Sequence, residues 1–241
     1  MPVVLIEGVD GTGKSTLADA IVDRVKNMYP FETRLEHYGV PIYDHDSELS
    51  IGQQAINQLL ERLQDFDNNR DFLVLDRFHW GEPVYAPIFR SHACVEPLFG
   101  TLTHKEFMHA ENWLRTVGGY NAYCLAPTET IVQRLETRGE ELLDNEHTKR
   151  LGQIKMLQER YETLIKYLTA DARPQPADVG RFVLESPDDT RDAANIIVDR
   201  ALDKYSEAMD NYETAGMSSA EIKEICKPVL FTPEDQDYIV E

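Results

Sequence analysis

Three cysteines in 241 residues, Cys94, Cys124 and Cys226, are too few and too scattered for a disulfide frame or a zinc site. No two stand in CxxC spacing, so the thiols read as buried or idle, as in a reducing cytosol. Long apolar runs are also lacking: none approaches the roughly 20 residues needed to span a bilayer. The opening Met-Pro-Val-Val-Leu-Ile-Glu has no basic n-region and no cleavage site. The expectation is a cytoplasmic protein with no secretion signal and no membrane partner. Positive charge is scarce, with 24 Lys and Arg against 43 Asp and Glu, a net charge of −19. Duplex binding draws its affinity from basic side chains on phosphates, so this balance repels DNA except at a local basic cleft. It favours a small ligand whose phosphates are held by a few fixed donors. No internal repeat is present.

What is present is apolar sequence in short periodic blocks. At 42% hydrophobic, the chain can build one α/β domain with a real core and is short for two. Residues 3–7 form a continuous apolar run, as in a central parallel strand. A helix is predicted from about 14 to 26, with Leu17, Ala18, Ile21, Val22 and Val25 on one face. Strands are predicted at 32–38, 72–75, 123–126 and 182–184. Helices are predicted at about 47–65, from Thr103 with its capping box to Glu106, from Pro127, at about 146–168, and from Ser186 through Leu202. Strands alternating with helices predict a five-stranded parallel sheet covered on both faces. The pattern changes after about residue 205. We therefore expect a domain over 1–205 and an acidic C-terminal extension over 206–241, either docked or disordered.

The strongest motif is Gly8-Val9-Asp10-Gly11-Thr12-Gly13-Lys14-Ser15. The glycines let the backbone turn so that successive N–H groups point at a phosphate, and the following helix adds its positive N-terminal dipole. Lys14 is placed to reach the β- and γ-phosphates of ATP, and Ser15 to ligate Mg²⁺. Gly8, Gly11, Thr12, Gly13, Lys14, Ser15 and Thr16 are the candidate nucleotide-binding set. Asp76 ends an apolar strand, where a carboxylate suits the metal, directly or through water. Arg77 beside it suits charge on a transferring phosphoryl group. The lesser reading is an ordinary strand-end ion pair. His79, Trp80, Glu82, Tyr85 and Arg90 crowd polar and aromatic types into one stretch. They read either as groups that stack on and hydrogen-bond a base, or as a loop tucked onto the core with Trp80 as packing and Glu82 paired to Arg90.

In three places the sequence resembles the thymidylate kinases. Residues 5–16 are similar to that family's P-loop, including the Glu-Gly lead-in and the internal Asp. Asp76-Arg77-Phe78, with Tyr85 downstream, resembles its Asp-Arg-aromatic motif. Pro127-Thr128-Glu129 followed by Arg134-Leu135-Glu136-Thr137-Arg138-Gly139-Glu140 resembles its strand-helix-lid segment. The likeness spans roughly residues 3–200. It implies a P-loop kinase three-layer sandwich with a lid at about 134–150, and ATP and Mg²⁺ as cofactors. It implies a deoxypyrimidine nucleoside monophosphate as acceptor and is compatible with a homodimer. It implies that Asp10 accepts a hydrogen bond from the acceptor's 3′-hydroxyl and that Arg77 bridges donor and acceptor phosphates. With Gly11 and Thr12 in the P-loop no arginine is available there, so Arg134 and Arg138 become the candidate catalytic lid arginines. Both also read as surface arginines.

The acceptor side departs from the family. After the second strand stands His37-Tyr38-Gly39-Val40-Pro41, and Gly81 replaces the family's serine. Tyr38 joins His79, Trp80, Glu82, Tyr85, Arg90 and Asp10 as candidate acceptor-binding residues. The stretch from Asp76 to Tyr85 is similar also to bacteriophage kinases acting on hydroxymethyl-deoxyuridine in DNA, which keeps DNA as an alternative partner. A non-catalytic ATP switch is a third reading, disfavoured because a switch has no use for a second phosphate site.

Overall fold

In the computed structural model, residues 1–64, 70–138, 147–170 and 178–236 are described. Five strands, β1 (Val3–Glu7), β2 (Glu32–His37), β3 (Asp71–Asp76), β4 (Tyr120–Leu125) and β5 (Val179–Val183), form one sheet of order β2-β3-β1-β4-β5. Every pairing is parallel. The helices are α1 (Lys14–Met28), α2 (Ile51–Glu61), α3 (Gly81–Phe89), α4 (His104–Thr116), α5 (Thr128–Thr137), α6 (His147–Leu168), α7 (Pro187–Thr214) and α8 (Ser219–Ile225). No helix among the described residues is long and apolar enough to cross a membrane.

β1 lies at the centre of the sheet, and alternation along it explains the layers. Val3 and Leu5 face one core with Ile56, Leu60, Phe107 and Tyr161. Val4 and Ile6 face the other with Leu17, Ile21 and Ile197. All four β1 side chains are fully buried, so each face must be covered by helices. This is the expected three-layer α/β sandwich around five parallel strands. Both edge strands, β2 and β5, are partly exposed, and β2 carries Glu32, Arg34 and Glu36 along its length. Charge on an edge strand discourages pairing with another chain.

Several boundaries differ from expectation for local reasons. The helix read from 47 begins only at Ile51, because Ser50 closes a capping box with Gln53. A helix over 81–89 was not foreseen; it contains Pro83 and Pro87. α7 runs on to Thr214, so the boundary drawn at 205 falls inside it. Beyond it the chain returns over α2 and α4. Phe231 and Cys226 are buried there, and the Asn57 amide both donates to Phe231 O (2.8 Å) and accepts from Phe231 N (2.7 Å). Trp113 Nε1 donates to Cys226 O at 3.0 Å. Of the lid expected at about 134–150, residues 139–146 lie outside the described residues.

Register fixes the geometry that matters most. β1 and β3 pair with Ile6 opposite Asp76, and Arg77 N–H extends the ladder to Ile6 O at 2.9 Å. The carboxyl ends of β1, β2 and β3 thereby open on the same edge, where an open α/β sheet binds its ligands.

Candidate active site

The floor of the cleft is the turn from β1 into α1. Gly8 admits no side chain: with φ of 149°, a Cβ there would stand 2.5 Å from Cys124 O. Gly13 ends the turn in the left-handed region, at φ 99°. α1 then begins with no side-chain cap and no acidic residue in its first turn. Its N-terminal N–H groups and its dipole therefore face the cleft as a ready anion site. Thr12 bonds back to Val9 O through its hydroxyl at 2.8 Å, which tightens the loop. Lys14 Nζ donates to Val9 O at 2.9 Å and lies 3.7 Å from Asp10 Oδ1. Burial pushes this ammonium's pKa down, and the nearby Asp76 charge opposes that shift.

The facing wall comes from the end of β3. Asp76 Oδ2 accepts from Ser15 Oγ at 2.9 Å and meets His37 Nδ1 at 3.1 Å, while Asp76 Oδ1 is buried without a hydrogen-bond partner. Arg77 is the single non-glycine residue with positive φ (68°) among the described residues. Such a conformation costs about 1–3 kcal/mol and persists only where its surroundings over-determine it. Here they do. Arg77 N is tied to Ile6 O, and the next N–H, that of Phe78, donates to the Glu7 carboxylate at 2.8 Å. The guanidinium is ion-paired with Asp10 and lies over the Tyr85 ring, 5.3 Å from its centroid. Asp10, Lys14, Ser15, His37, Asp76, Arg77 and Arg138 line one cavity of about 330 Å³.

Other candidates lie elsewhere. Arg134 donates to Gly11 O (3.2 Å), Leu184 O (2.9 Å) and Glu185 O (3.3 Å), clamping the glycine loop to the chain after β5. With Thr16 and Arg138 it also borders an adjoining depression next to Ser186. His79 and Trp80 are fully buried and do not line the cavity. His79 Nε2 meets Glu111 Oε2 at 3.0 Å, and Trp80 Nε1 donates to the same oxygen at 3.2 Å. Tyr38 is buried with its hydroxyl on Leu59 O at 3.1 Å. Glu82 pairs with Arg90 at 2.7 Å, and Arg90 donates also to Tyr43 at 2.7 Å. Tyr85 alone of this group touches the cleft machinery, through its ring beneath Arg77. Burial pushes its phenol up to about 12.

Two residues were missed. Glu7 is a carboxylate closing an otherwise apolar central strand, and a charge so placed has to be buried and paired. That signal was available in the sequence. His37 stands at the end of β2, on the same sheet edge as Asp76, and only the parallel register reveals the proximity.

The metal expected here fits the residues present. Ser15 Oγ and the Asp76 carboxylate are hard oxygens side by side, and Asp76 Oδ1 has capacity to spare. Mg²⁺ characteristically takes one or two protein oxygens and fills the rest of its shell with water and phosphate.

No protein-family model matches the chain, and no curated protein matches it. Solved structures do. The YorR protein of Bacillus subtilis, in complex with phosphorylated GDP, is 18% identical with a TM-score of 0.52, over 81% of this chain and 93% of that one. Deoxyadenosine kinase from M. mycoides, with dCMP and dCDP bound, is 16% identical with a TM-score of 0.47, over 82% and 97%. Thymidylate kinase from Candida albicans is 15% identical with a TM-score of 0.47, over 84% and 93%. At such identities the likeness is one of fold alone: an α/β sandwich on a five-stranded parallel sheet.

Proposed function

We propose that this chain is an ATP- and Mg²⁺-dependent phosphotransferase acting on a deoxypyrimidine nucleoside monophosphate. One observation carries the reading. Lys14 and Ser15 from one stretch of chain, and Asp76 and Arg77 from another 61 residues on, converge on a single cleft beside an uncapped helix N-terminus.

The residues divide the work by charge. The N–H groups of the glycine loop and Lys14 hold the donor's phosphates. Ser15 and Asp76 would hold Mg²⁺, which neutralises charge on phosphate oxygens when bound. Arg77, ion-paired with Asp10 and lying over the Tyr85 ring, presents its guanidinium beside Lys14, since both cations meet the same Asp10 oxygen. Arg138 adds a second from α5's end. An acceptor phosphate oxygen is already anionic at neutral pH, so positioned charge suffices and no strong base is called for. Asp10 orients Arg77 and is itself part-exposed, which leaves its carboxylate available to an acceptor hydroxyl.

The test is phosphate transfer from ATP to a panel of nucleoside monophosphates, and to plain and hydroxymethyl-deoxyuridine DNA, with and without Mg²⁺. We expect Mg²⁺-dependent transfer to a deoxypyrimidine monophosphate. Transfer confined to DNA would overturn the acceptor class. ATP binding with no transfer to any acceptor would make the chain a switch.

A further inference from the structure

Glu7 has no role in the chemistry above, yet it is the most deeply placed charge near the cleft. It is fully buried at the end of β1. One oxygen accepts from Phe78 N–H at 2.8 Å and the other from the Tyr161 hydroxyl of α6 at 2.9 Å. Its charge is felt by both Arg77 and Lys14. The N–H it binds belongs to the residue directly after Arg77, where the chain leaves β3. At Arg77 N the backbone is still in the ladder, bonded to Ile6 O; one residue later the Glu7 side chain replaces the ladder as acceptor. The left-handed turn at Arg77 lies between these two anchors.

We infer that Glu7 is a positioning residue for Arg77: it holds the Phe78 N–H, fixes the left-handed turn, and thereby aims the guanidinium into the cleft. Tyr161 completes the device by occupying the second carboxylate oxygen, which ties α6 to the same point. Burial pushes the Glu7 carboxyl up, while the Phe78 and Tyr161 bonds and the two cations oppose that. The inference rests on the phosphotransferase reading for its catalytic consequence, though not for its geometry.

A double-mutant cycle tests it. Glu7→Leu, which leaves the Phe78 N–H without its acceptor, is expected to lower kcat by about 10- to 100-fold, the scale of a displaced catalytic group, with KM for ATP little changed. Tyr161→Phe removes one bond with less risk to folding and should lower kcat in the same direction, by less. In an Arg77→Ala background both changes should have almost no further effect on kcat, because groups acting through one residue are not additive. A second readout needs no turnover. The Arg77 Nε–H signal in a nitrogen-15 spectrum, identified by its loss in Arg77→Ala, should shift in Glu7→Leu while the other arginine signals stay. Additive losses in the cycle, or an unmoved Arg77 signal, overturn the positioning role. A parent protein that transfers phosphate to no acceptor sinks the phosphotransferase reading instead, and the spectrum still decides the role of Glu7.

Discussion

At the residue scale the cleft depends on charges that do little for packing. Lys14→Ala is expected to lower kcat by at least about 10³-fold, the scale of a lost transition-state charge contact, with a thermal midpoint near that of the parent. A variant with near-parental turnover would remove Lys14 from the mechanism. Arg77 offers a sharper comparison. Arg77→Ala should cost about 10³-fold in kcat, as for arginines that act on a transferring phosphoryl. Arg77→Gly should lose the same activity yet exceed Arg77→Ala in stability by about 1–2 kcal/mol, because glycine escapes the left-handed Cβ clash. Equal denaturation midpoints for the two would show that the turn at Arg77 carries no strain. This scale was also the most legible in the sequence. Gly8 to Ser15 are contiguous, and the glycine turn into α1 follows from spacing alone. His79 and Trp80 were not legible in the same way, because the partner that holds both, Glu111, lies on another helix. A buried polar network and a base-binding cluster use the same residue types.

At the element scale strong local signals placed their helices well. Thr103 with Glu106 and Ser186 with Asp189 both form capping boxes at the starts of α4 and α7. α3 escaped notice because two prolines in nine residues read as a loop. Pro83 falls in the first turn, where no intrahelical N–H is needed, and Pro87 falls near the end. The junction of α3 with α4 makes stability depend on pH. Burial pushes the His79 imidazole below its usual 6.5, and bonds from His79, Trp80 and Arg115 help hold the Glu111 carboxyl low against burial. A base with a lowered folded pKa binds fewer protons folded than unfolded, so stability is lost as pH falls below about 6.5. Thermal melts from pH 7.5 to 5 should show this fall, and His79→Gln, which keeps a donor for Glu111 and cannot titrate, should lack that part of it. A flat parent profile would refute the buried neutral imidazole.

At the scale of the whole molecule, the continuous apolar run of β1 and the alternation of strands with helices made the layered sheet readable, while the course of the tail was not. Nothing in residues 217–236 announces that Asn57 on α2 will take both backbone groups of Phe231. Asn57→Ala leaves a buried N–H and C=O without partners, and two neutral hydrogen bonds together contribute about 2 kcal/mol. The variant should unfold at lower denaturant by that amount, and protease should cut the tail before the sheet domain. Unchanged stability and cleavage would mean that the tail adheres through Phe231 packing alone.

The pairing of Ile6 with Asp76 has a consequence for how the gene tolerates changes of length. Deleting one codon from 72–75 would draw Arg77 into the slot of Asp76 and set a guanidinium against Ser15, reversing the sign of the metal side of the cleft. The same loss at the turn around Gly216, where even an added Cβ would meet nothing within 4 Å, leaves that register untouched. Diverging copies of this gene should therefore vary in length at such turns while the count from Asp71 to Arg77 stays fixed.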